Sequence, residues 1–146
     1  MAIGLAHLIV SCTPPVTPAP KAATINKLNR VYHTIRVLES ENHLSIGEQL
    51  RRITNAITLQ DKWTRLVVES MAKDGIDETI ARETLCQDGY GNLFNIDFKT
   101  SLIAKGAPNK LTGVEFDVII WSSGENGINE DGQGDDIFLP AEKVPR

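Results

Sequence analysis

Residues 121–137, Trp-Ser-Ser-Gly-Glu-Asn-Gly-Ile-Asn-Glu-Asp-Gly-Gln-Gly-Asp-Asp-Ile, gather five carboxylates and four glycines into one segment without a base. No Lys or Arg occurs between Lys110 and Lys143. The segment reads as an irregular loop, because glycine lets a backbone fold tightly where clustered acids would otherwise push it open. Oxygen ligands on such a backbone suit a hard cation, calcium above all. An apolar run precedes the loop and another follows it, so both ends are anchored, unlike those of a frayed acidic tail. The competing reading is a solvated acidic turn, the usual fate of a charge run. An EF-hand is excluded: with Gly132 at the invariant glycine, Gly127 falls on the first ligand position and Phe138 on the last, where an acid is required.

The loop also dominates the charge of the chain. Net charge over the 146 residues is −4. Removing Glu125, Glu130, Asp131, Asp135 and Asp136 leaves 14 acids against 15 bases, which is close to neutral. No basic stripe or Arg-aromatic interleaving appears, which argues against nucleic acid as a partner. The length fits a single domain large enough to bury a core. Cys12 and Cys86 form neither a disulfide framework nor a zinc pattern and read as two independent thiols.

Before that domain lies an apolar N-terminus and a tether, residues 1–20. Residues 1–11 are apolar but far too short for a spanning helix, and they lack the basic start of a secretory signal. Three readings stand side by side: the lower end of a longer hydrophobic helix, a lipoprotein-like Ile-Val-Ser-Cys site that leaves Cys12 lipidated, or a disordered apolar end. Thr13–Pro20, with four prolines in eight residues, reads as an extended spacer.

From residue 21 a globular domain extends to 146. Ile25, Leu28, Val31 or Tyr32, Ile35 and Leu38 recur at helical spacing over about 22–40. Ser45 and Glu48 fit a capping box that opens a second helix, with Ile46, Leu50, Ile53 and Ile57 along one face. Asp61 is expected to cap a third, with Leu66, Val67 and Met71 inward and Gly75 near its end. Asp77 is expected to cap a short fourth, carrying Ile80 and Leu85. Then the pattern changes. Asp88–Asn92 is a turn cluster, Leu93–Phe98 alternates as a strand does, and Leu102–Ala104 is a candidate second strand. Val114–Trp121 reads as the strongest strand. Helices followed by a small antiparallel sheet define an α+β class.

Chemistry of the catalytic kind finds little support. His7, His33 and His43 share no spacing with carboxylates that suggests a relay. Trp-Ser-Ser-Gly at 121–124 lacks the leading glycine of a nucleophile elbow, and Gly89-x-Gly91 precedes a strand where a dinucleotide site needs a helix. Trp63 and Trp121 read as core, Trp121 alternatively as a cover for the loop. The expectation is a protein that is not an enzyme.

Two segments carry a family resemblance. Asp88-Gly89-Tyr90-Gly91-Asn92-Leu93-Phe94 resembles the Asp-x-Trp-Gly-Asn-Pro-Tyr segment of type II secretion major pseudopilins and related type IV pilin-like proteins, with Tyr90, Leu93 and Phe94 in place of Trp, Pro and Tyr. About thirty residues on, Ser123-Gly124-Glu125-Asn126-Gly127, then Gly132-x-Gly134-Asp135-Asp136-Ile137, resemble the family's Ser-x-Gly-x-Asp-Gly…Gly-x-Gly-x-x-x-Asp-Ile ending. The likeness covers residues 86–140. It implies a helix packed on a small antiparallel sheet, a calcium ion in the C-terminal loop, and no catalysis. By that likeness the ligands include Asp135 and Asp136, Asn126 where the family has an acid, and backbone oxygen around Ser123. Asp131 or Glu130 would compensate for the neutral Asn126. The implied role is a structural subunit of a periplasmic fibre at the bacterial cell envelope. Its partners would be like subunits and secretion-system components, and it would meet the membrane through its N-terminus. The alternative is a lipid-anchored envelope binding module, tethered through Cys12, with no fibre role.

Overall fold

A computed structural model of the chain describes residues 19–104 and 116–139. The N-terminal apolar run, Cys12 and most of the proline spacer lie outside them, as do Val114 and the last seven residues.

Helix α1, Pro20–Asn42, starts two residues before the expected boundary. Pro20 suits a first helical position, since its missing N–H is one the helix would leave unpaired anyway. Leu28, Val31, Tyr32, Ile35 and Leu38 are all buried, so both alternatives at 31 and 32 point inward. The helix stops at His43, which adopts a left-handed φ of 51°. The chain then reverses into α2, Ile46–Arg51. Ser45 Oγ accepts the Glu48 N–H at 3.3 Å, as the capping box requires. Both oxygens of Asp117 accept the Gly47 N–H at 3.0 Å, and a side chain on Gly47 would collide with that carboxylate.

The expected extension of α2 to Ile57 is not found. The helix ends at Arg51, and Ile57 is 98 % exposed. Thr54 and Asn55, whose side chains compete for backbone groups, interrupt a spacing that by itself imitates a helix face. Arg51 instead lays its guanidinium over the Phe98 ring, 4.5 Å from the centroid. Helix α3, Leu59–Lys73, is capped by Thr58 rather than Asp61: Thr58 Oγ1 accepts the Asp61 N–H at 3.1 Å. Asp61 in the first turn still favours the helix dipole. Trp63 and Val67 are buried, and the Trp63 indole donates to Leu85 O at 2.9 Å. Helix α4, Glu78–Leu85, is capped by Asp77 as expected. Ala81 and Leu85 face the core, whereas Ile80 is 56 % exposed.

Strand β1, Asn95–Phe98, runs into α5, Lys99–Ala104, where a strand was expected. A three-residue apolar run cannot by itself separate the two; only a tight turn here delivers Leu102 into the core. Strand β2, Val118–Trp121, pairs antiparallel with β1 in the register Asn95–Trp121 to Phe98–Val118. All four β2 residues are buried, and the Trp121 ring stacks on Phe138 from the C-terminal segment. The class is α+β.

A two-stranded sheet leaves an edge of unpaired backbone, and the fold closes it at two successive positions. The Tyr32 hydroxyl lies between the N–H and C=O of Ile120, at 3.0 and 3.3 Å. Two residues on, Ser122 exchanges both backbone bonds with Ile137, at 3.0 and 2.9 Å. Burial pushes the Tyr32 hydroxyl well above its ordinary pKa, while its bond with Ile120 pulls the other way. It acts as a fixed strut from α1 to β2.

Candidate metal-binding loop

Two acidic turns meet at the end of β2. The first surrounds Asp88, which is 1 % exposed. Its Oδ1 accepts the N–H of Tyr90 and of Asn92, each at 2.9 Å. Its Oδ2 accepts the Ser122 hydroxyl at 2.6 Å. Gly89 passes so close to α1 that a Cβ there would collide with the Pro20 carbonyl. Phe94, just beyond, is buried in the core. This is an acid whose donors come wholly from the protein.

The second turn is the loop itself, pinned at its base by the Ser122–Ile137 bridge. Gly124, Gly127, Asp131, Gly132 and Gly134 all have positive φ. Four are glycines, and aspartate is among the few other residues that tolerate that region. The winding brings Glu130, Asp135 and Asp136 together, each offering a carboxylate oxygen within 4.8 Å of the others. Gly134 matters most here, because a Cβ on it would occupy the space of the Glu130 carboxylate. Glu130 Oε1 accepts Asn126 Nδ2 at 3.0 Å, and its Oε2 accepts the Asp135 N–H at 3.2 Å. Asp135 Oδ2 accepts the Asn126 N–H at 2.9 Å. Asp136 Oδ2 accepts the N–H of Gly132 and of Glu130, at 2.9 and 3.1 Å.

The other oxygen of Asp136 has no such support. Oδ1 is buried and has no hydrogen-bond partner, alone among the buried side-chain polar atoms of the described residues. Burial raises the pKa of Asp136 above its ordinary value; the Gly132 and Glu130 N–H bonds lower it, the Glu130 charge raises it again, and the nearby Trp121 indole lowers it. Like charges about 4 Å apart repel by roughly 4 kcal/mol at the effective dielectric of a protein surface, before further screening of the exposed members. The three acids could hold a metal ion, although exposed acids also cluster without one.

The five residues singled out in the sequence divide. Asp135 and Asp136 lie in the cluster. Ser123, expected to offer a backbone oxygen, is buried, and its hydroxyl accepts Asn95 Nδ2 at 2.7 Å. Asn126 borders the cluster, with its Oδ1 occupied by the Ile128 N–H at 2.8 Å. Asp131 is exposed and stands outside. Glu130, read only as a compensating acid, belongs to the cluster. Its distance of four residues from Gly134 was the available signal, but only the left-handed turns at 131, 132 and 134 aim the side chain back.

Trp121 combines both roles expected of it. It is 2 % exposed, stacks on Phe138 at 5.6 Å between centroids, and donates its indole N–H to Asn129 Oδ1 at 3.2 Å. Cys86 is a buried free thiol; burial raises its pKa, against smaller opposing effects of Thr64 and Arg82. No helix of the described residues is long and apolar enough to cross a membrane. Comparison with known protein families, characterised proteins and solved structures finds no significant match to this chain.

Proposed function

We propose that the chain is a structural, assembly-type protein of the bacterial cell envelope, similar to a type II secretion pseudopilin, whose C-terminal loop is held by calcium. One observation carries the reading: three carboxylates converge in a segment free of bases, and one buried carboxylate oxygen among them lacks any donor. A cation would supply what the protein omits there. Calcium fits better than magnesium, because a winding, glycine-rich loop suits variable coordination, and magnesium demands a near-ideal octahedron. The long α1, the Asp88 turn, β2 and the loop follow one another in the order the resemblance would call for, although α2, α3 and α4 stand between the first two. The role is to fold and associate, with no reaction to catalyse. Partners would be further copies and secretion-system components.

The calcium part is tested by thermal melting of the full chain in millimolar calcium and in excess EDTA. A clear rise with calcium is expected, and superimposable curves would remove the ion from the account. The assembly part is tested by cross-linking single-cysteine variants along the exposed side of α1, such as Ala22→Cys, in cells that make the protein. Ladders of multimers are expected. Monomer alone from every position would sink the fibre role.

A further inference from the structure

The sheet has two edges, and their treatment differs at one residue. On β2, the Tyr32 hydroxyl holds both backbone groups of Ile120, so those groups point away from β1. Ile96 is the cross-strand neighbour of Ile120. In an antiparallel ladder such a pair exchanges no bonds between its own members, so the Ile96 N–H and C=O point outward from β1. The Lys99 N–H bond to Asp117 O, at 3.1 Å, fits the same alternation. The positions on either side of Ile96 along this edge are closed by the protein. The Phe94 N–H donates to Cys86 O at 2.9 Å, and Gln60 Nε2 donates to Phe94 O at 2.9 Å. The Phe98 N–H donates to Asp97 Oδ1 at 2.8 Å. Among the described residues, neither backbone group of Ile96 has a partner. Ile96 lies on the wall of a cleft of about 240 Å³, lined also by the first residues of α3, by Asp97, and by Asn129 and Asp131 of the loop. Two acids and no base line this cleft among the described residues.

We propose that this open point of β1 takes up an extended peptide as a third strand, one guest residue exchanging both backbone bonds with Ile96. In strand addition the backbone gives affinity and alternate side chains give the preference. Side chains alternate along β1: Ile96 packs against the core, while Asn95 and Asp97 share the other face with Trp121. The guest residue opposite Ile96 shares its face and is apolar. The two residues flanking it lie on the Asp97 face, where Asp131 adds a second negative charge, and carry lysine or arginine. The guest is therefore a basic–apolar–basic segment. A second copy of β1 is the poorer occupant, since pairing edge to edge about Ile96 would bring the acids of both copies into one place. Two main-chain bonds and two screened charge pairs make this a weak, exchanging complex. It requires neither bound calcium nor a fibre.

Nuclear magnetic resonance titration of the full chain, without added metal, tests this with the blocked peptide Thr-Thr-Lys-Val-Lys-Thr-Thr. Saturable shifts centred on the Ile96 amide are expected, with its hydrogen exchange slowed at least about fivefold at saturation. N-methylation of the valine amide removes the guest's donor without changing its charge, and should weaken binding at least about fivefold. Glutamate in place of both lysines should abolish the shifts. Asp97→Asn, which keeps an oxygen for the Phe98 N–H, and Asp131→Asn should each weaken binding about two- to fivefold. Shifts spread over the acidic loop with the Ile96 amide unmoved would overturn strand addition in favour of plain charge attraction. Equal binding of the N-methylated peptide would do the same. Ile96 shifts that grow with protein concentration in the absence of peptide would make a second copy the occupant and overturn the peptide. No shift at millimolar peptide overturns the site.

Discussion

Asp88 and Asp136 are both acids in glycine-containing turns next to β2, yet the protein completes one and leaves the other unfinished. Asp88 is almost fully buried, and three donors cover its two oxygens. Asp136 is half-buried beside two further acids, with two donors on one oxygen and none on the other. A carboxylate completed by backbone N–H groups and a hydroxyl is a structural part, and changing it should damage the fold under all conditions. A carboxylate left short of donors, among like charges, invites a cation. Its contribution should therefore change sign with the cation's presence.

The largest effect separates the two turns. Asp88→Ala strands the Ser122 hydroxyl and two backbone N–H groups in the interior. At about 1–3 kcal/mol for each unsatisfied donor, a loss of roughly 4 kcal/mol is expected, of similar size in calcium and in EDTA. Urea denaturation in both buffers measures it. If the loss appeared only in calcium, Asp88 would belong to the ion site and the contrast would dissolve.

Next comes the ion itself. Calcium at 100 times its dissociation constant should stabilise the chain by about 2.7 kcal/mol. For a domain of this size that raises Tm by roughly 5–10 °C. Asp136→Ala should abolish the rise, whereas Asp88→Ala should lower both curves and keep the gap between them. Scanning calorimetry of the three proteins decides it.

A smaller effect carries the sharper signature. Asp135→Asn removes one charge from the cluster but keeps an oxygen facing the Asn126 N–H. In EDTA, relief of repulsion at this exposed position should stabilise the protein by about 0.5–1 kcal/mol. In calcium the same change should destabilise it and weaken binding about tenfold. Acid should act in the same direction as this substitution. Because the folded-state pKa of Asp136 is raised above its ordinary 3.8, the folded chain binds the proton more tightly than the unfolded chain does. In EDTA, stability contributed by Asp136 is therefore present below 3.8 and is lost as pH rises through the elevated folded value. In calcium the trend reverses, since the proton competes with the ion. Melting curves over that pH window, in both buffers, should cross.

The difference between the two turns was only half legible in the sequence. Spacing alone located α1, the caps at Ser45 and Asp77, and the strand pair, because propensity, periodicity and burial agree there. Thr58 displaced Asp61 as a cap since both sit three residues apart in a pattern that permits either. Ile57 kept helical spacing although the helix had already ended at Arg51, and Leu102 was delivered inward by a turn that a short apolar run cannot announce. The Tyr32 strut and the Asp88–Ser122 bond join residues 88 and 34 positions apart, and no local pattern encodes them. In the loop, composition revealed the acids and the glycines. Which acids converge depends on five successive left-handed choices, and those are properties of the folded backbone.

Asp131 offers the finest test of that last point, and the smallest expected change. Sequence reading placed it among the ligands, while the structure leaves it exposed, at φ 53°, outside the trio formed by Glu130, Asp135 and Asp136. Asparagine tolerates the left-handed region as well as aspartate does. Asp131→Asn should therefore shift stability by less than about 0.5 kcal/mol and calcium affinity by no more than about twofold, through loss of a nearby screened charge. Glu130→Gln, one residue away, should weaken calcium binding about tenfold, because it removes charge from the cluster itself. Titration calorimetry of the pair reads out the ranking. If Asp131→Asn proved the more damaging, the ion would have to draw Asp131 inward, and the loop as folded here would be the state that precedes binding.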